Sequence, residues 1–183
     1  MPLTRDAFCS YCGAPHVETT YPRTCTSCAT ILWANPIPVS VVLVPVSDGD
    51  RTGLLVVRRT IEPRRGLLSL VGGFLEEHET WQQGGAREIL EEAGVTLDAA
   101  TLAPFWFAST APRPNRVLLF SIAEPIARRQ LGSFTPNDEA SERGLVFGPD
   151  DLDAIFAFPL HAEAARRFFA ERGATGPHAY TVA

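Results

Sequence analysis

The spacing of apolar residues changes several times along the chain, and the changes divide it into elements. Residues 37–46, IPVSVVLVPV, form a continuous β-branched run of the kind needed by a strand covered on both faces. Asp48-Gly49-Asp50 breaks the run, and residues 53–60, GLLVVRRT, make a second strand ending on Arg58 and Arg59. Residues 62–66, EPRRG, read as a loop, because proline and glycine both interrupt a regular pattern. Residues 67–74, LLSLVGGF, give a short strand that runs into Gly72-Gly73. Residues 102–108 and 116–124 are predicted strands joined through Pro112-Arg113-Pro114-Asn115; residues 130–142 are polar and loop-like, and residues 143–147 make a last strand. A helical turn starts at Pro149-Asp150-Asp151-Leu152. A helix follows over residues 161–172, with Ala162, Ala165, Phe168 and Phe169 towards the core and Gly173 as its stop. No element is assigned after it.

The strongest helical pattern lies between the third and fourth strands. Thr80 with Gln83 three residues later fits a capping box, and Gly94 directly after Ala93 fits a left-handed closing residue. At about 100° per residue, Glu88, Glu91 and Glu92 share one face, while Ala86, Ile89, Leu90 and Ala93 are predicted to meet the core on the other. Gly84 and Gly85 each cost about 1 kcal/mol against alanine inside a helix, so they read as room for a loop or a ligand to approach. Like charges at these spacings destabilise a bare helix by roughly 0.2–0.5 kcal/mol per pair. A hard divalent cation would remove that repulsion, since Mg²⁺ and Mn²⁺ take oxygen ligands. For an isolated run of this kind, a solvated acidic face is the competing explanation.

The run is not isolated. Gly73 is followed after five residues by Glu79, and Glu79 after seven by Arg87-Glu88-Ile89, with Glu91-Glu92 and Gly94-Val95 beyond. This arrangement resembles the box of the Nudix hydrolase superfamily at every position. Chance agreement at fixed residues used about once in fifteen is on the order of one in 10⁸ per starting point. The resemblance implies an α/β fold, an α/β/α sandwich with a mixed sheet, and hydrolysis of a diphosphate linkage. It assigns Glu88, Glu91 and Glu92 to Mg²⁺ or Mn²⁺, Glu79 to an auxiliary metal or water ligand, and Arg87 to orienting the carboxylates. The general base varies within the superfamily, so a box glutamate or Glu142 is expected, with Glu139 the other loop candidate.

Composition adds a second metal. The four cysteines form two pairs, Cys9/Cys12 and Cys25/Cys28, with twelve residues between. Two such thiolate pairs close a tetrahedral site suited to structural Zn²⁺; a pair of disulfides is the alternative. The expected organisation is a zinc ribbon over residues 1–35, a hydrolase domain over 36–176 and a tail over 177–183. The ribbon shows no basic patch, with Arg5 and Arg23 set against Asp6 and Glu18, and the whole chain has net charge −5. That balance argues against a nucleic-acid partner and for a scaffold or homodimer-interface role. Trp33, at the ribbon's exit, is expected in the core. No leader pattern and no apolar run of roughly 20 residues is present, so a cytoplasmic protein without a membrane partner is expected.

The substrate is expected to be a small nucleotide. Arg58, Arg59, Arg64 and Arg65 crowd the loop ahead of the glycine pair, and guanidinium groups pair with phosphate bidentately. Gly72 and Gly73 would let the backbone approach phosphates, with Arg58, Arg64 and Arg65 as anion contacts. Phe105, Trp106 and Phe107 could stack a base or fill the core; Trp106 is taken forward as the substrate candidate. A ribbon followed by a Nudix domain resembles NADH pyrophosphatases and also pyrophosphatases acting on FAD and ADP-ribose. FWFASTAPRPN over residues 105–115 departs from the NADH branch's signature, whereas residues 35–39, NPIPV, and NDEASERGLVF over 137–147 look closer to the second. Two other readings use the same site or fold. One is removal of a nucleotide cap from RNA; the other is a non-catalytic ligand-sensing or RNA-associated module, which commonly shows eroded box glutamates that are intact here.

Overall fold

The computed structural model describes residues 6–17, 20–111 and 115–183. The loop residues Pro112, Arg113 and Pro114, and Arg5 and Glu18 of the ribbon, lie outside these. The chain divides into two compact units, Met1–Pro36 and Ile37–Ala183.

The first unit contains β1 (Arg23–Thr24) and β2 (Ile31–Leu32), an antiparallel pair, with all four cysteines free of disulfides. Trp33, expected in a core, is 59% exposed. A unit of this size has little apolar interior to offer an indole.

The second unit begins with β3 (Ile37–Leu43), β4 (Pro45–Asp48), β5 (Arg51–Arg59), β6 (Leu68–Ser69) and β7 (Val71–Phe74). Helix α1 (Trp81–Ala93) follows, then β8 (Ala103–Ser109), β9 (Arg116–Ile122), β10 (Ile126–Ala127) and β11 (Ala140–Phe147). The chain ends with α2 (Leu152–Ile155), α3 (Pro159–Glu171) and β12 (Ala179–Val182). One mixed sheet runs β7-β3-β9-β8, with β3 and β9 parallel. The other runs β10-β4-β5-β11-β12, with β6 also on β5.

The expected single strand over 37–46 is divided at Val44, and the one over 67–74 at Leu70. At both points the chain leaves one sheet for the other. Alternation along β3 and β5 then feeds two cores. Val41, Leu43, Leu54 and Val56 meet Ala165, Phe168 and Phe169 of α3; Val42, Val44, Leu55 and Val57 meet Ile89 and Ala93 of α1. This places the sheets between helices, the α/β architecture expected, and burial of these β-branched rows supplies its main stabilisation.

Helix α1 has the caps its sequence implies. Thr80 and Gln83 form the capping box, and Gly94 closes the helix at φ 68°. Its buried stripe, however, passes through Gly85, Ile89 and Ala93, and Leu90 is 52% exposed rather than in the core. The reason is close approach to β3: a Cβ on Gly85 would lie 2.8 Å from Val42 Cγ2 and 2.9 Å from Ser40 Oγ. The helix rests on the sheet along Gly85, Ile89 and Ala93, which turns Leu90 away. Gly84 similarly accommodates Leu75 and the Glu79 carboxylate, so both glycines admit protein.

Candidate active site

Arg87, on α1, organises the acidic residues around it. Its Nε and one terminal amino group hold both oxygens of Glu79 at 3.1 and 2.8 Å, and that second amino group also reaches the Phe74 carbonyl at 3.1 Å. The other amino group donates to Glu88 Oε1 at 2.8 Å and Glu91 Oε2 at 3.0 Å. Every donor on the guanidinium is thereby used. Glu79 Oε1 also accepts from the Glu76 amide at 2.8 Å, so neither oxygen of Glu79 is idle. Glu88 and Glu91 each give one oxygen to Arg87 and keep the other available for a ligand.

Gly73 makes this arrangement fit, since a Cβ there would run into the Glu88 carboxylate. Gly72 serves the sheet instead: its missing Cβ faces the Ser40 carbonyl and Val41 Cα of β3.

Glu88, Glu91 and Glu92 line one side of an open cleft, and Asn137, Asp138 and Glu139 line the other. Burial pushes the Glu92 carboxyl up to about 8, and the neighbouring Glu88 and Glu139 charges add to the effect. Burial also raises Glu88, against the pull of Arg87. Glu79 moves the other way, held low chiefly by its hydrogen bonds from Arg87.

The far wall is fastened to the end of α1. Asn137 Nδ2 donates to the Glu91 and Glu92 carbonyls at 3.0 and 3.2 Å, while its Oδ1 accepts from the Glu139 and Ala140 amides at 3.0 and 2.8 Å. Arg143, fully buried on β11, donates to the Ala93 carbonyl at 2.8 Å and to carbonyls of Leu131, Gly132 and Ala183. These two side chains carry the orphan carbonyls of the last helical turn. Sequence reasoning did not single out Asn137, Asp138 or Arg143; an asparagine three residues before a strand was the available signal.

Glu142, Arg64, Arg65 and Trp106 are not among the residues lining this cleft. Glu142 Oε1 accepts from Tyr180 Oη at 2.5 Å and Arg58 Nε at 3.0 Å, and these contacts, Tyr180 first, hold its carboxyl below the usual range. Arg64 and Arg65 are exposed in the loop between β5 and β6. Trp106 is half-buried, stacked 5.2 Å from Phe120 under the Arg167 guanidinium, and packs against the α3 core.

In the first unit the Sγ atoms of the four cysteines all lie within 4.8 Å of one another. Cys9 and Cys28 are 3.7 Å apart, and Cys12 and Cys25 are 3.6 Å apart. A disulfide needs about 2.05 Å. A zinc–sulfur bond of about 2.3 Å in a tetrahedron puts sulfurs roughly 3.8 Å apart, so the donor set fits Zn²⁺. Among the described residues this is the one group of three or more such ligands so closely gathered.

The NUDIX domain family matches residues 36–171 of the chain. The chain belongs to the NUDIX domain family. Relatives of this Nudix protein include the NAD-capped RNA hydrolases NudC of Deinococcus radiodurans, 28% identical over 92% of this chain and 57% of that protein. The NudC of Chromobacterium violaceum is also 28% identical, over 87% of this chain and 56% of its own. The Nudix chain thus spans little more than half the length of these curated relatives. Among solved structures it is similar to a NUDIX hydrolase from Nitrosomonas europaea, at TM-score 0.63 and 28% identity over 91% of this chain and 92% of that one. The fold is shared with the NUDIX domain of Shewanella oneidensis NrtR, solved with ADP ribose, at TM-score 0.62 and 18% identity over 76% and 90%. Among the described residues no helix is long and apolar enough to cross a membrane.

Proposed function

We propose that this Nudix protein hydrolyses the diphosphate bond of a nucleoside diphosphate joined to another group, with FAD or ADP-ribose favoured and NADH next. The observation that carries the reading is the cleft between Glu88, Glu91 and Glu92 and the Asn137–Glu139 loop, with oxygens of Glu88 and Glu91 left over from Arg87. Glu88 and Glu92 are buried carboxylates that repel each other, with the exposed Glu91 beside them, the donor set a hard cation relieves, so the three would hold Mg²⁺ or Mn²⁺. When bound, such an ion neutralises phosphoryl charge and makes a water nucleophilic. Arg87 keeps the carboxylates oriented, and Glu79 keeps Arg87 in place. Glu139, on the cleft and outside any ion pair among the described residues, is proposed as the proton acceptor for the attacking water. Glu142, engaged by Tyr180 and Arg58, is proposed to position β11.

Removal of an NAD cap from RNA is the second reading, favoured by the NudC relatives, and it would use the same cleft. The Cys9, Cys12, Cys25 and Cys28 site is proposed as structural zinc, which agrees with a reducing, cytoplasmic setting. Exposed Phe8, Tyr11, Val17, Ile31 and Trp33 support a homodimer-interface role for the first unit.

The test is a panel of FAD, ADP-ribose, NADH and NAD-capped RNA with Mg²⁺ or Mn²⁺, comparing the intact protein with Glu92→Gln. At least one substrate is expected to be cleaved, and the substitution should lower turnover by on the order of 10². Equal rates in both proteins would remove Glu92 from the chemistry.

A further inference from the structure

The four arginines between β5 and β6 have different surroundings. Arg58 is paired with Glu142 and also donates to the Gly66 carbonyl at 2.9 Å. Arg64 and Arg65 are exposed, with Arg65 Nε bonded to the Thr60 carbonyl. Arg59 is half-buried, its guanidinium carbon 4.9 Å from the centre of the Phe158 ring and its Nε donating to the Pro63 carbonyl at 3.2 Å. Neither terminal amino group of Arg59 donates to any group among the described residues.

Its position relates it to the cleft. Arg59 is the last residue of β5 and pairs with Ala140 of β11, immediately after Glu139. The following amide, Thr60, donates to the Glu139 carbonyl at 2.9 Å. The Arg59 charge is close enough to oppose protonation of His161 on α3. A guanidinium partly withdrawn from water beside an acidic cleft would normally close onto a carboxylate. Here the contacts are the Phe158 ring and the Pro63 carbonyl, which engage the guanidinium face and Nε and leave the two terminal amino groups without a partner among the described residues. A divalent cation would be repelled by this charge; an anion arriving with that cation would be attracted.

We propose that Arg59 anchors the substrate's diphosphate, its two free amino groups taking phosphoryl oxygens as a bidentate fork. The assignment rests on the hydrolase reading and names a residue for substrate binding that Arg58, by its pairing with Glu142, does not supply. Phe158 and Pro63 restrict the guanidinium before substrate arrives, so little rotamer freedom is lost on binding. Because the same contact serves the bound substrate and the transition state, its loss should appear in KM rather than kcat.

The experiment compares intact protein with Arg59→Met, Arg59→Lys and, as a charge-loss control on the outer face of α3, Arg166→Met. KM for ADP-ribose and FAD should rise at least about tenfold in Arg59→Met with kcat within about threefold; lysine should recover part of the loss, and the control should match the intact protein. In parallel, ADP-ribose is titrated calorimetrically into Glu92→Gln with and without Arg59→Met, so that binding is read without turnover. Weaker binding in the double variant supports the anchor even if no panel compound is cleaved, an outcome that would sink only the hydrolase reading. Unchanged KM and unchanged binding in correctly folded Arg59→Met, or a fall in kcat alone, would overturn the proposal.

Discussion

Gly73 lies directly against the Glu88 carboxylate, with no room between them for a Cβ. Glu88 cannot swing clear without leaving Arg87, 2.8 Å away on its other side. Gly73→Ala should therefore leave a folded protein with a displaced carboxylate and activity reduced at least about tenfold, a cost typical of a misplaced catalytic group. Gly72→Ala should behave differently. Its new Cβ would meet backbone, the Ser40 carbonyl and Val41 Cα, so strand pairing between β7 and β3 must move. Thermal unfolding and steady-state rates of the two variants should separate them, Gly72→Ala losing mainly stability and Gly73→Ala mainly rate.

Glu139 and Glu142 differ in what already holds them. Glu142 is fixed by Tyr180 and Arg58, whereas Glu139 faces the cleft. Glu139→Gln is expected to lower kcat by on the order of 10² or more, as loss of a general base does. Glu142→Gln should keep kcat within about threefold and lower the unfolding temperature, since a hydrogen-bonded ion pair is weakened. The reverse pattern in rates would return the base to Glu142.

Cation binding should depend on pH. With the Glu92 carboxyl pushed up to about 8, the free protein carries it protonated at neutral pH, and a bound divalent ion must expel that proton. Mn²⁺ or Mg²⁺ affinity should accordingly rise by up to about tenfold per pH unit as pH climbs to about 8, then level off. Calorimetry in two buffers of different ionisation enthalpy measures the proton released. No release at neutral pH would contradict this account of Glu92.

His161 sets an acid limit on stability. It is buried on α3 between Phe120 and Phe158, its Nδ1 has no hydrogen-bond partner among the described residues, and burial pushes its imidazole down to about 3. The unfolded chain takes up the proton near its ordinary value of about 6.5, so between the two values the unfolded state binds more protons. Its contribution is therefore complete above about 6.5 and lost as pH falls towards 3, by up to about 1.4 kcal/mol per pH unit. Urea unfolding of the intact protein and His161→Leu across this range should show a shallower acid decline in the variant.

Much of this was readable from residues close in sequence. The capping box at Thr80 and Gln83, the left-handed stop at Gly94, the box glutamates on α1 and the paired cysteines all depend on spacings of a few residues. Such spacings fix geometry locally, because a helical turn or a knuckle brings i and i+3 together whatever surrounds it. Other features depended on what the chain met in space. Leu90 faces solvent because Gly85 lets α1 settle on Val42 and Ser40. β12 was unassigned because its four residues gain their partners only by lying beside β11. Glu139 rather than Glu142 reaches the cleft because Asn137 ties its loop to the end of α1, while Tyr180 of β12 takes up Glu142. A side chain's direction at a strand end follows from register and from which neighbour claims it first, and neither is encoded within a few residues of the position concerned.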